Sequence, residues 1–168
     1  DLLMAVEPLT DVFVPVDTHA AQSRSTITSI EDVLCGDDPV LIFPAGLCSR
    51  LSPDGKTITD LPWRKSFVTM ARQYRRDILP VYFEGQNSPS FYRAARRRQR
   101  LGLRFNFEMV LLPREVFRAQ GHHFRIACAD TIPWQDIQAQ SPRQVATDIR
   151  NIVYGLGQRS VPSVEDNE

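Results

Sequence analysis

Val40-Leu41-Ile42-Phe43-Pro44-Ala45-Gly46-Leu47-Cys48-Ser49-Arg50 is the stretch from which the rest of the chain can be read. Its apolar run, Val40 to Phe43, predicts a short strand buried on both faces, which Pro44 and Gly46 end abruptly. Proline offers no N–H to a sheet ladder, and glycine accepts dihedrals that other residues avoid. Ser49 and Arg50 follow within one turn of chain. A buried strand opening into a glycine loop that carries a hydroxyl and a guanidinium is suited to holding a phosphate. The plainer alternative is a strand that ends in an ordinary loop, as strands of parallel sheets commonly do.

Upstream, Thr28 stands three residues before Glu31 and Ser29 three before Asp32, which is capping-box spacing. A helix ending near Leu34 follows, with Ile27, Ile30, Val33 and Leu34 on one face. Earlier still, Asp11–Val16 reads as a strand that Pro15 pushes toward an edge, preceded by the apolar Leu2–Val6. Downstream, Ser52-Pro53-Asp54-Gly55-Lys56 is turn chemistry, and Thr57–Leu61 reads as a short return strand. Trp63–Arg75 has the spacing of an amphipathic helix, through Phe67, Met70, Ala71 and Tyr74. Asp77–Phe83 reads as a second buried strand, and Ser90–Leu101 as a basic helix closed by Gly102. Phe107–Leu112 is apolar and fits strand or helix equally. Pro113-Arg114-Glu115 starts a helix that Gly121 stops, His123–Ala127 alternates as a strand, and Ser141-Pro142 opens a helix running to about Tyr154 or Leu156.

Strands alternating with helices predict an α/β fold with a mainly parallel central sheet flanked by helices. Residues 1–156 form a single domain in this reading, with 157–168 a polar tail. Ligands of such sheets bind beyond the carboxyl ends of the strands, which puts Pro44–Arg50 and Glu84–Ser88 on one edge. Lys+Arg 20 against Asp+Glu 20 gives a formal charge of zero, which argues against a generally basic nucleic-acid binder. Cys35, Cys48 and Cys128 are an odd set without C-x-x-C spacing, so neither a disulfide framework nor a zinc site is indicated. No apolar run has the length of a membrane span, and no signal peptide is visible. The first residue is Asp1, not Met, so upstream sequence is expected.

Phe43-Pro44-Ala45-Gly46-Leu47-Cys48-Ser49-Arg50 resembles the F-P-E-G-T-R-S block of the glycerophosphate and lysophospholipid acyltransferase superfamily, in an F-P-A-G-x-x-S-R form. It is most similar to the bacterial hemolysin-like branch. Ile78-Leu79-Pro80-Val81 resembles the later apolar-Pro-apolar block, and Trp63-Arg64-Lys65-Ser66-Phe67 stands where many members carry a lysine. Gly85–Ser88 with Phe91-Tyr92, and Leu111–Glu115, are also similar to that branch, so the resemblance runs in order from Asp1 to Trp134. The superfamily's general base is a histidine followed five residues later by aspartate. Here His19 is followed at that distance by Arg24, His122 by Ala127 and His123 by Cys128, so the chain contains no such dyad. The resemblance places that block upstream of Asp1. The block's Glu, Thr and Arg are Ala45, Leu47 and Cys48 here, and Val16-Asp17-Thr18-His19 lacks the arginine that usually ends the second block.

The resemblance implies an O-acyltransferase of phospholipid or related lipid metabolism. It would move a fatty acyl group from acyl carrier protein or coenzyme A to a hydroxyl of a lysophospholipid, glycerophosphate or amino-acid lipid. No tightly bound cofactor and no metal are implied. Phe43, Pro44, Gly46, Ser49, Arg50 and Lys65 are then the expected acceptor or phosphate-binding residues, with Arg24 a further candidate cation. Arg93, Arg96, Arg97 and Arg100, in a cluster with Arg98 and Arg104, are candidates for contact with an anionic membrane or an acidic carrier protein. A solvated helix face is the plain alternative. The expected location is cytoplasmic, peripheral on the inner face of the membrane. A second class of function stands beside the enzyme: a catalytically inactive fragment or relative that binds membrane lipid or a protein. His122-His123 reads as a strand-entry pair, Cys48 as structural, and Trp63 and Trp134 as core anchors.

Overall fold

Apolar residues at three- and four-residue spacing on two helices make the main core. The computed structural model describes residues 24–52, 55–103 and 110–158. In order these form α1 (Arg24–Cys35), β1 (Arg50–Leu51), β2 (Ile58–Thr59), α2 (Ser66–Gln73), β3 (Val81–Phe83), α3 (Pro89–Arg100), α4 (Leu112–Arg118), β4 (Ile126–Cys128) and α5 (Pro142–Gln158). Phe67, Val68 and Ala71 of α2 meet Val145, Ala146 and Ile149 of α5, with Ile137 between them and Trp63, Met70, Ile78 and Ile132 around the margin. Arg72 ties α2 to the segment that precedes α5, its Nη2 donating to the carbonyls of Ile137 and Gln140. A smaller group, Phe91, Tyr92 and Ala95, is buried on α3, where Phe91 and Tyr92 meet edge-to-face at 5.5 Å.

The α/β class is as expected, but the sheets of the described residues are antiparallel. β1 pairs with β2, Arg50 opposite Thr59 and Leu51 opposite Ile58. β3 pairs with β4 through Val81–Cys128, Tyr82–Ala127 and Phe83–Ile126, and an Ile78–Ile132 bridge extends that ladder. The expected mainly parallel central sheet is therefore corrected, and so is its central strand. Val40–Phe43 joins no ladder, with Leu41 73% and Phe43 72% exposed. A strand buried on both faces needs neighbours to receive its backbone groups. The strand expected at Asp11–Val16 lies outside the described residues, and the one around Val81 pairs with β4. The turn after the run forms as the glycine reading expects. Gly46 has φ 70°, and its N–H donates to the Phe43 carbonyl at 3.1 Å.

The return strand and its turn are present: Gly55 has φ 77°, its N–H reaches the Ser52 carbonyl, and Ser52 Oγ accepts from the Thr57 N–H. The helix boundaries hold at Gly102 and Gly121, both at positive φ, and at Pro142. One start is corrected. α1 already begins at Arg24, so Thr28 and Ser29 lie inside the helix and not at its start. The segments 1–23, 53–54, 104–109 and 159–168 lie outside the described residues, and with them the Leu2–Val6 reading, Arg104, the first half of Phe107–Leu112, and most of the tail.

Glu115 joins α4 to the start of α3. Its carboxylate accepts from the Ser88 N–H and, at 2.7 Å, from the Ser88 hydroxyl, while Ser88 Oγ caps α3 by accepting from the Phe91 N–H. Burial pushes the Glu115 carboxyl up. The Ser88 bonds, with Arg118 and Arg114, outweigh it and hold the group below its ordinary value. A depressed folded-state value stabilises the fold above the ordinary carboxylate range of 4.5, and that contribution is lost as pH falls through the lowered value. Glu115→Gln is therefore expected to lower the melting temperature at neutral pH and to converge on the parent in strong acid. Equal losses at both extremes would remove the electrostatic account.

Candidate functional site

The β1–β2 hairpin returns the chain from Ser49 to Asp60, and Asp60 becomes a junction of three segments. Its Oδ1 accepts from Ser49 Oγ at 2.6 Å and its Oδ2 from Trp63 Nε1 at 3.1 Å. Its backbone N–H donates to the Tyr154 hydroxyl of α5 at 2.8 Å. Beside it, Arg150 Nη2 donates to Thr59 Oγ1 at 2.8 Å, and the guanidinium lies 4.3 Å from the centre of the Tyr154 ring. The loop before β1, the segment after β2 and the helix α5 are thus tied together by bonds that an apolar core alone would not specify.

Between the segment after β2 and α5 lies an open cleft of about 740 Å³. Pro62, Trp63, Arg64 and Lys65 line one side, and Arg143, Thr147 and Arg150 line the other, with Asp60 completing the surface. Four cations therefore face the space against one carboxylate, and that carboxylate is already held by a hydroxyl and an indole N–H. Among the described residues, Arg64, Lys65 and Arg143 form no ion pair, and all three are exposed. A carboxylate or phosphate entering the cleft would meet four cations against the single Asp60 carboxylate, an excess of positive charge.

The sequence-predicted site residues divide around this cleft. Lys65 lines it. The Phe43–Gly46 turn lies against it: the Pro44 carbonyl accepts from the Arg64 N–H at 3.0 Å, and a Cβ on Gly46 would stand 3.6 Å from Arg64 Cζ. Ser49 reaches it through Asp60. Arg50 does not line it; at 5% exposure it is buried where β1 meets α3. On α3, Arg93, Arg97 and Arg100 are exposed, whereas Arg96 is half-buried with its guanidinium against Gly55. Arg96 and Arg100 border a smaller cleft of about 300 Å³ beside Leu51 and Ser52.

Sequence reasoning did not single out Asp60, Arg64, Arg143, Thr147, Arg150 or Tyr154. A signal for three of them was available. Arg143, Thr147 and Arg150 recur at helical spacing along one face, while Val145, Ala146, Ile149 and Val153 recur along the buried one. Among the described residues, no cluster of His, Cys, Asp or Glu could hold a metal ion. No helix among them is long and apolar enough to cross a membrane.

Residues 1–160 match the family model described as Acyltransferase. The chain is 36% identical over 157 residues to the lyso-glycine lipid O-acyltransferase of Phocaeicola vulgatus, an alignment covering 93% of this chain and 56% of that protein. The lyso-glycine lipid O-acyltransferase of Bacteroides thetaiotaomicron is likewise 36% identical over 157 residues, covering 93% of this chain and 57% of that one. The chain thus spans a little over half the length of these curated relatives. No solved structure matches it.

Proposed function

The chain belongs to the acyltransferase family, and from that premise we propose that it is the acceptor-binding part of a lipid O-acyltransferase. The observation that carries this reading is the cleft itself, where Arg64, Lys65, Arg143 and Arg150 surround about 740 Å³ with one internally bonded carboxylate. Arg64 and Lys65 hold the anionic end of the acceptor, a carboxylate or a phosphate, beside the Phe43–Ser49 turn. Arg50, buried in β1, is given no contact with the acceptor in this reading.

The relatives' names favour a lyso-amino-acid lipid over a lysophospholipid as acceptor, because a glycine headgroup joined through nitrogen presents a free carboxylate. The donor is an acyl thioester of coenzyme A or acyl carrier protein. The acceptor hydroxyl attacks the thioester carbonyl, forming the C–O ester bond and breaking the C–S bond. A general base takes the hydroxyl proton, and the departing thiolate is protonated to the free thiol. The cleft residues act by position and charge. Exposed Arg93, Arg97 and Arg100 lie against an anionic membrane on its cytoplasmic side, where each near-surface cation contributes about 1 kcal/mol.

The test is acyl transfer by the full-length protein from labelled acyl thioester to three acceptors: lyso-glycine lipid, lysophosphatidate and neutral monoacylglycerol. Transfer to the anionic acceptors should exceed transfer to the neutral one by about tenfold or more, the effect of one charge-assisted contact. Equal transfer to all three would remove the cleft's assigned role. No transfer by a folded protein would remove the enzyme reading.

A further inference from the structure

The side of the cleft formed by α5 carries more charge than one acceptor headgroup uses. We infer that Arg143 and Arg150 bind the phosphate that ends the pantetheine arm of the acyl donor, an inference that rests on the acyltransferase reading. That phosphate is common to coenzyme A and to the prosthetic group of acyl carrier protein, so one subsite serves either source.

Two cations on the Trp63–Lys65 side match one carboxylate or one monoester phosphate. The other two come from a different element, at positions seven apart on α5. That is two turns on one face, a rise of about 10 Å. Arg150 is already aimed, held by the Thr59 hydroxyl and the Tyr154 ring, and because neither partner is charged it keeps its full charge for a ligand. Arg143 is exposed, and Asp148, five residues on, accepts from Gln144 Nε2 at 2.8 Å. Arg143 also stands in the first turn of α5, which has no acidic residue, so the helix field adds to the cations instead of opposing them. Thr147 is not a donor here, since its hydroxyl donates to the Arg143 carbonyl at 3.0 Å. Pro62 and Trp63 offer an uncharged surface along which a pantetheine arm can lie. Separate cation pairs on two elements keep the anionic ends of two substrates apart, which a two-substrate transfer requires.

The test is calorimetric titration of the full-length protein with 4′-phosphopantetheine and with pantetheine, its dephosphorylated form. The phosphorylated ligand should bind about tenfold tighter or better, the effect of a charge-assisted contact. Arg143→Ala and the charge-reversing Arg143→Glu, both at an exposed position, should erase that difference while leaving pantetheine affinity and the melting temperature unchanged. Coenzyme A, and holo- compared with apo-acyl carrier protein, form further arms: dependence on Arg143 in either one identifies the source and supports the subsite. Equal affinity for the two pantetheines, or phosphopantetheine binding indifferent to Arg143→Glu, overturns it. Arg143-dependent binding in a protein that transfers no acyl group would retain the subsite and remove the catalytic reading. Transfer whose donor affinity ignores Arg143 would do the reverse.

Discussion

Replacing Arg64 and Lys65 together by alanine is expected to reduce kcat/KM for an anionic acceptor by about 100-fold or more, chiefly through KM. A charge-assisted hydrogen bond contributes about 1.5–3 kcal/mol, and two such contacts at exposed side chains fall short of their sum because solvent screens them. The fold should be left standing. Arg64 bonds the Pro44 carbonyl through its backbone N–H, which alanine retains. Lys65 precedes α2 without a side-chain capping bond. Kinetics against acceptor concentration, paired with thermal melts, check both halves. The deficit should shrink as salt rises, since exposed charges are screened at short range. An equal loss with a neutral acceptor would show that the pair supports structure and not charge recognition.

How much of this was legible in the residues varies with how local the signal is. Turn glycines and the Pro142 helix start are settled by dihedral preference and nearest-neighbour bonding and fall where composition puts them, while the helix read from Ser90 begins at Pro89 behind a Ser88 cap. Strand pairing is not local. Val40–Phe43 has the composition of a buried strand, yet burial depends on what lies alongside, and among the described residues nothing pairs with it. Asp77–Phe83 was legible as a strand but not as the half-exposed one it is, with Phe83 54% exposed, because its antiparallel partner at Ile126–Cys128 comes from more than forty residues away. The site divides the same way. Lys65 could be named because it sits in a recognisable block near the Pro44–Gly46 turn. Arg143 and Arg150 could not, because only the docking of α5 brings them across from it.

That docking carries the second large effect. Ile149→Ala is expected to destabilise the protein by about 2–5 kcal/mol, a melting shift of roughly 7–14 °C near the middle of that range for a chain of this size. Ile149 is 3% exposed among Phe67, Val68 and Ala71, so truncation leaves a cavity where α2 and α5 meet. It lies one residue before Arg150 and five before Tyr154, which hold Thr59 and the Asp60 backbone. Loosening that contact should therefore weaken anion binding together with stability, with ligand partly restoring the melting temperature by linkage. Arg143→Glu differs in kind: it should weaken binding with little change in melting. If Ile149→Ala melted early but bound anions as tightly as the parent below its transition, α5 would hold its cations independently of the core. The junction of Asp60, Tyr154 and Arg150, not hydrophobic docking, would then be what positions the cleft.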